Sequence, residues 1–400
     1  MSMNILHTVE FYYPSKGGSQ EVIKQISERL VQKGHSVTVA TTYDPQRKSL
    51  SHNGVTIEQF HITGNRVRGL HEEKQGEIER YRNFVLNSQF DVMMNYAAQQ
   101  WTFDTLLPII DNIRFPQILA PCGFSWLHDT NYREYYATLP TYLKQYSGHI
   151  LHSSSYQDSE FYRNNAIPFV VLPNGAAAEE FQNIDTQASI VFRKKYGIPP
   201  DIPLLITIGS HTGLKGHRLV IEAFRRANIG KAVLLVIGNT LDKHNCLWDC
   251  RRRAWRTILS SYGQKKVYIL DIPRQETIQA LKAADLFVFG SNIECSPIVI
   301  FEAIAAGTPF IATDVGNCRE IAEWTHNAGI IVEGQKNEHG LFFASRSDFA
   351  SAIEKMLSNT EYLKQLSTQA RAAWQQHFTW EIIADKYEKF YDDIIKSYKR

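Results

Sequence analysis

Two glutamates, Glu294 and Glu302, stand with seven residues between them in "SNIECSPIVIFEAIAAGTPFIATDVGNCREI", Ser291 to Ile321. Ionised carboxylates accept strongly from hydroxyl groups, so the question is what hydroxyls they would meet. The preceding "LFVFGS" reads as a strand and Ser291 to Ser296 as the loop after it. Ser296 fits an N-cap, Pro297 the first helical position, and Gly307 the stop of a helix ending near Ala306. Glu294 is then a loop residue, while Glu302 lies more than a turn inside the helix. That separation argues against a tight acid/base dyad. It fits two separate hydrogen-bonding tasks on one extended polyol, with free N–H groups near Ile298 and Val299 facing an anion or a sugar hydroxyl. The bland alternative leaves Glu294 solvated and Glu302 a helix-surface charge.

A second cluster is "ITIGSHTGLKGHRLVIEAF". Gly209 ends a strand and lets the backbone approach a ligand closely. Lys215 and Gly216 come just before a helix, where a lysine can neutralise a diphosphate beside the helix N–H groups. The order Lys215-Gly216-His217 is not a Walker loop, and Gly209, Gly213 and Gly216 do not make a dinucleotide fingerprint. Taken alone, Lys215 reads equally as an exposed loop lysine. Gly17 and Gly18 follow the first strand and permit a tight turn next to a bound group, or an ordinary strand-to-helix turn. The loops at Gly238-Asn239 and at Ile272-Pro273-Arg274 could take a nucleobase, apolar on its face and bonded at its edge by backbone groups.

The elements that must position these loops alternate strand and helix twice over. "MNILHTVEFY", "HSVTVATTY", "FDVMMNYA", "FPQILAPC", "GHILHSSS" and "FVVLPNGA" form the first series of strands. "PLLITIGS", "AVLLVIGN", "KKVYILDI", "LFVFGS", "PFIATDV" and "AGIIV" form the second. Short buried strands between longer helices predict parallel sheets covered on both faces, hence an α/β chain of two Rossmann-like domains. The spacing predicts helices over about 346–377 and 379–398, the last with a packing face of Trp380, Tyr387, Phe390 and Tyr391. Residues 1–175 form the first domain and 176–378 the second, with residues 379–400 packing back on the first. Ligands of open α/β sheets bind beyond the carboxyl ends of the strands.

Composition sets the outer bounds. Four hundred residues suit two cores rather than one. A net charge of +2 excludes a strongly basic nucleic-acid binder. No run reaches the ~18 apolar residues of a membrane span. The first residues lack a secretory signal, which predicts a cytoplasmic protein. The helix "CLWDCRRRAWRTI" gathers Arg251, Arg252, Arg253 and Arg256 with Trp248 and Trp255, and could touch anionic lipid or a polyphosphate carrier. A solvated helix with ordinary salt bridges is the alternative. His244, Cys246 and Cys250 hint at a metal site, but no second CxxC or HxxxH pair completes one. The five cysteines therefore read as reduced structural thiols, and no metal is expected.

Together these stretches resemble the retaining glycosyltransferases of family 4. The likeness runs from Gly17-Gly18 and "GHSVTVAT" through "VLPNGA", "IGSHTGLKGH" and the Glu294-x7-Glu302 block to the final helix at Trp380. It implies the GT-B fold, two facing Rossmann-like domains with parallel sheets and a cleft between them, hinged near residues 173–180. It implies a hexosyltransferase that moves a sugar from a nucleotide diphosphate donor, by default a UDP-sugar, to a glycan, lipid-linked or small-molecule hydroxyl. The anomeric configuration would be kept, without a metal or other cofactor. Lys215 would grip the diphosphate, Glu302 the ribose, and Glu294 the transferred sugar together with the backbone from Ser296 through Pro297 and Ile298 to Val299. Gly17, Gly18, Gly209, Gly238, Ile272 and Pro273 would line the donor site. Two departures stand out. Ser210 occupies the place of the usual arginine, for which Arg274 could compensate. Cys122 occupies the place of an acceptor-side histidine, leaving His128 or Asp129 nearby to take over. The polar stretch "NRVRGLHEEKQGEIERYR" is expected at the cleft edge. An epimerase of the same fold, or a nucleotide-sugar-binding protein without activity, are the rival readings.

Overall fold

The computed structural model describes residues 2–183, 186–240 and 245–398. Its contacts fall into two compact units, Met1–Asn174 with Trp380–Arg400, and Gly175–Thr379.

The first unit is built on ten strands: β1 Asn4–Thr8, β2 Ser36–Thr42, β3 Ser51–His52, β4 Val55–Phe60, β5 Ile62–Asn65, β6 Gly69–Glu72, β7 Val92–Tyr96, β8 Gln117–Ala120, β9 Gly148–Leu151 and β10 Val170–Val171. Eight of them make one sheet, ordered β10-β9-β8-β7-β1-β2-β4-β3, parallel except for β3 against β4. The pair β5–β6 is a separate antiparallel hairpin. It takes up part of the polar stretch at residues 65–82, and the helix Glu77–Asn87 takes up its last six residues. β1 and β7 are buried on nearly every residue, as central parallel strands must be when helices cover both faces. The helix Gly18–Gln32 buries Val22, Ile23, Ile26 and Leu30 and ends at Gly34 in the left-handed region, the stop its sequence implies.

The final helix, Trp380–Tyr398, belongs to this first unit. It buries Trp380, Tyr387 and Tyr391 and leaves Phe390 half-buried. Its polar side is tied to the helix Gly18–Gln32 by Arg29 and Glu381 at 2.8 Å, and to Lys33 through Asp385 at 2.6 Å. At its centre the Tyr391 hydroxyl meets Nε2 of His7 at 3.0 Å, and the other ring nitrogen meets Ser27 Oγ at 2.8 Å. Burial lowers the His7 pKa to about 3. The unfolded chain takes a proton there near pH 6.5 and the folded chain does not. Stability therefore falls as the pH drops from about 6.5 toward 3, by up to ~1.4 kcal/mol per pH unit from this residue alone. Calorimetric melting from pH 7 to pH 4 should show His7→Gln losing less stability over that range than the wild type. Equal slopes would mean that His7 is not carried neutral into the fold.

The second unit carries β11 Leu204–Ile208, β12 Ala232–Ile237, β13 Lys265–Leu270, β14 Leu286–Phe289, β15 Phe310–Thr313 and β16 Gly329–Val332 in one parallel sheet ordered β13-β12-β11-β14-β15-β16. A small antiparallel pair follows, β17 Gly334–Lys336 with β18 Phe342–Ala344. β11, β12, β14 and β15 are almost wholly buried runs of Val, Leu, Ile, Phe and Ala, broken by Thr207 and ended by Thr313. The helix His217–Arg226 lies on one face of the sheet and Ile298–Ala305 contributes to the core on the other. Where the chain crosses between units, Ala176 and Phe378 share a backbone hydrogen bond and Trp374 Nε1 donates to Ala176 O at 3.2 Å.

Two sequence expectations change. The stretch at 346–377 is two helices, Arg346–Leu357 and Thr360–His377. Asn359 caps the second by accepting from Tyr362 N, so the chain restarts there instead of continuing. Ser296 is not an N-cap. The helix begins at Ile298 with Pro297 as its cap residue, and Ser296 Oγ accepts from Asn317 Nδ2 at 3.0 Å.

Candidate active site

The strand order of the second unit reverses direction at one place. β11 is followed outward on one side by β12 and β13, and on the other by β14 and β15. The loops after β11 and β14 therefore diverge there, which is where an open α/β sheet offers room for a ligand. Gly209, Lys215 and Gly216 lie on the first of these loops, residues 209–216, and Glu294 on the second, residues 290–297, with Glu302 in the helix that follows it.

The loops are fastened to each other. Asn292 N donates to Leu214 O at 2.8 Å, and Ser291 Oγ lies 3.2 Å from the same carbonyl. Gly216 adopts a left-handed φ of 67° with its Cα against Gly290. An added Cβ at Gly238 would stand 1.9 Å from Gly209 O. Gly238 and Gly216 thus serve the approach of backbone to backbone.

The fastening brings Lys215 and Glu294 together: Nζ lies 2.6 Å from Oε1, and Ser291 Oγ donates to that same oxygen at 3.1 Å. Glu294 is mostly shielded from solvent, so the solvated-loop alternative does not hold. Glu302 is buried within the helix Ile298–Ala305 and is not a surface charge. Its Oε1 lies 2.5 Å from Nη2 of Arg274, which also binds Glu180. The two sequence glutamates are thus separate, each with its own cation. Ile272 is half-buried and Pro273, exposed, caps the helix that starts at Arg274. Ser210 is half-buried in the first loop.

Sequence reasoning missed Glu180, Ser291 and Asn317. Glu180 sits beside Glu179 in a short helix, Ala178–Phe181, with nothing in its neighbours to single it out. Ser291 and Asn317 act through hydrogen bonds to Glu294 and Ser296 that only the folded chain brings about.

In the first unit Gly17 is the extended cap residue of the helix Gly18–Gln32, and space around Gly18 is open. Cys122 has φ 58°, its Sγ faces Ala120 O at 3.5 Å, and burial pushes its thiol up to about 12, which makes it a poor nucleophile at neutral pH. His128 is exposed. Asp129 Oδ1 accepts from the backbone and side chain of Asn131, both at 2.9 Å, in a local turn. On the arginine-bearing helix, Leu247–Ser260, Arg252 and Arg253 pair with Asp249, while Trp248 and Trp255 are 78% and 67% exposed. No helix among the described residues is long and apolar enough to cross a membrane. His244 lies outside the described residues.

Residues 189–373 match the family described as glycosyl transferases group 1. They form a glycosyltransferase group 1 domain. The match includes both loops of the candidate site. The chain is also similar, at 25% identity over 94% of its length and 95% of the relative's, to the uncharacterized glycosyltransferase MJ1607 of Methanocaldococcus jannaschii. It spans only about half the length of further curated relatives that it matches. Among solved structures it is similar to a sucrose-phosphate synthase from Thermosynechococcus elongatus, with 18% identity, TM-score 0.77, and 99% of this chain and 100% of that one covered. A second is Anabaena Alr3699/HepE in complex with UDP and glucose, with 17% identity, TM-score 0.71, and 98% and 100% covered. At these identities the structural likeness speaks to fold. The group 1 domain and the unit before it have the GT-B glycosyltransferase fold, α/β with parallel sheets in two domains.

Proposed function

We propose that this protein is a retaining glycosyltransferase of family 4 that moves a hexose from a nucleotide diphosphate sugar, a UDP-sugar, to an acceptor hydroxyl. The observation that carries this reading is the Lys215–Glu294 pair, held on the two loops of the switch point within a glycosyltransferase group 1 domain. UDP is favoured because the similar fold of HepE is described in complex with it.

In this reading Lys215 exchanges its carboxylate partner for the donor diphosphate, whose charge grows as the glycosidic bond breaks. Glu294, released, accepts from hydroxyls of the sugar. Glu302 accepts from the ribose, with Arg274 beside it. The N–H groups at Ile298 and Val299 add donors at the start of a helix. The leaving phosphate oxygen takes the acceptor proton, so no protein base and no catalytic metal is needed. The sugar hydroxyls and the acceptor hydroxyl are set by position, which is where most of the rate would come from.

Thermal melting with UDP, GDP and ADP tests the donor. A nucleotide at 100 times its Kd should stabilise the fold by ~2.7 kcal/mol. UDP is expected to give the largest upward shift, and Glu302→Ala to abolish most of it. A larger shift with GDP or ADP would reassign the base. A shift that survives Glu302→Ala would remove that residue from the ribose. Release of nucleoside diphosphate only when an acceptor is supplied separates a transferase from an epimerase. Binding with no turnover over a broad acceptor panel would favour a protein that only binds the donor.

A further inference from the structure

Behind the Lys215 loop, four buried side chains converge that the transfer reaction does not use: His211, His217, Cys246 and Cys250. Their ligand-type atoms all lie within 4.8 Å of one another. Twenty-eight residues separate the two pairs in sequence, which is why the hint at Cys246 and Cys250 found no partners there. The fold supplies them. His211 follows β11 and His217 opens the helix His217–Arg226. Cys246 caps the helix Leu247–Ser260 and Cys250 lies one turn on, on the same face. A backbone hydrogen bond from Cys246 N to His211 O, 2.9 Å, fixes the two segments in register.

The distances carry the argument. Nδ1 of His211 and Nδ1 of His217 are 3.2 Å apart, Nδ1 of His211 and Sγ of Cys246 are 3.5 Å apart, and the two sulfurs are 3.7 Å apart. A tetrahedron built on zinc with Zn–N about 2.0–2.1 Å and Zn–S about 2.3 Å has edges of roughly 3.3, 3.6 and 3.8 Å. The three measured edges fall within about 0.2 Å of those values in the same order. A set of two imidazoles and two thiols, with no carboxylate among them, selects zinc over the hard cations. The spacing, five residues between the histidines and three between the cysteines, is also that of structural zinc sites.

We propose that His211, His217, Cys246 and Cys250 bind one structural zinc ion that staples the donor-loop segment 211–217 to the helix Leu247–Ser260. On binding, the two thiol protons pass to solvent. Two thiolates then offset the 2+ charge and both imidazoles stay neutral, so the site buries no net charge. Four protein ligands leave no open position, so the ion's task is structural and distinct from the transfer chemistry. Lys215 lies between the two histidine ligands, so the metal would hold both ends of the segment that presents it. The proposal does not depend on the sugar-transfer reading.

The test is metal content and spectroscopy on the full chain. After expression in zinc-containing medium and dialysis against metal-free buffer, about one zinc per chain is expected by mass spectrometry of the metal. The double variant Cys246→Ser/Cys250→Ser should fall below about 0.1 per chain, while Cys295→Ser keeps its zinc. If the double variant does not fold, the wild type still decides. Chain stripped by a chelator and titrated with Co2+ should develop the visible bands of tetrahedral cobalt together with a thiolate charge-transfer band, and Zn2+ should bleach both. Wild-type chain that holds less than about 0.1 zinc and gives no tetrahedral cobalt spectrum would overturn the proposal, leaving a metal-free imidazole–thiol cluster.

Discussion

Lys215→Ala is expected to lower turnover at saturating donor by at least ~100-fold, with little loss of stability. In the folded chain Lys215 Nζ pairs with Glu294, 2.6 Å away, and the lysine side chain remains about one-third exposed. An ion pair that open to water contributes about 0–1 kcal/mol, so the melting temperature should barely move. The effect on turnover is different in kind. Charge builds on the leaving diphosphate in the transition state, and an ammonium poised there acts on that state more than on the bound donor. The loss should therefore appear in kcat as well as in KM. Lys215→Arg, which keeps the charge but not the point geometry, should recover part of the rate. Glu294→Gln gives a complementary reading. It frees Lys215 from its counterion without removing the cation, so nucleotide diphosphate should bind no worse while sugar transfer falls. Near-normal turnover of Lys215→Ala under saturating donor would remove this residue from the chemistry.

How much of this was legible in the chain can be argued residue by residue. The two parallel sheets were readable because their strands are continuous apolar runs such as "AVLLVI" and "LFVF", separated by helices of 3.6-residue period. The loops that matter were readable because they follow such strands and bear Lys215 and Glu294 among glycines. Pairing was not readable. Nothing in the sequence says that Lys215 meets Glu294, 79 positions away, or that Arg274 is gripped by Glu180, 94 positions away. Those contacts follow from the order β13-β12-β11-β14, in which strands distant in sequence become neighbours. The same fact hid the four convergent His and Cys side chains, whose pairs sit on segments that only β11 and β12 bring side by side. The short strands β3, β5 and β6 escaped for another reason. They run two to four residues and are mostly polar, so no apolar period marks them.

Gly216→Ala is expected to disable the protein where Gly213→Ala, three residues earlier in the same loop, is tolerated. Both glycines have φ in the left-handed region, 67° and 83°. That alone costs an alanine roughly 1–2 kcal/mol at either position. The surroundings separate them. At Gly213 an added Cβ meets nothing within 4 Å, whereas at Gly216 it would lie 1.6 Å from Gly290 O. A backbone carbonyl cannot swing aside as a side chain can. Relief requires the loops after β11 and β14 to part, which breaks the hydrogen bond from Asn292 N to Leu214 O and carries Lys215 away from Glu294. The expected cost is ~3–5 kcal/mol, in the range of severe backbone or packing defects. Calorimetry should show the melting transition of Gly216→Ala displaced well below that of Gly213→Ala, with donor-stimulated turnover lost in the first and kept in the second. Because both variants share the φ strain, equal behaviour would show that the Gly216–Gly290 contact does not set the loop, and the geometry that presents Lys215 would then need another cause.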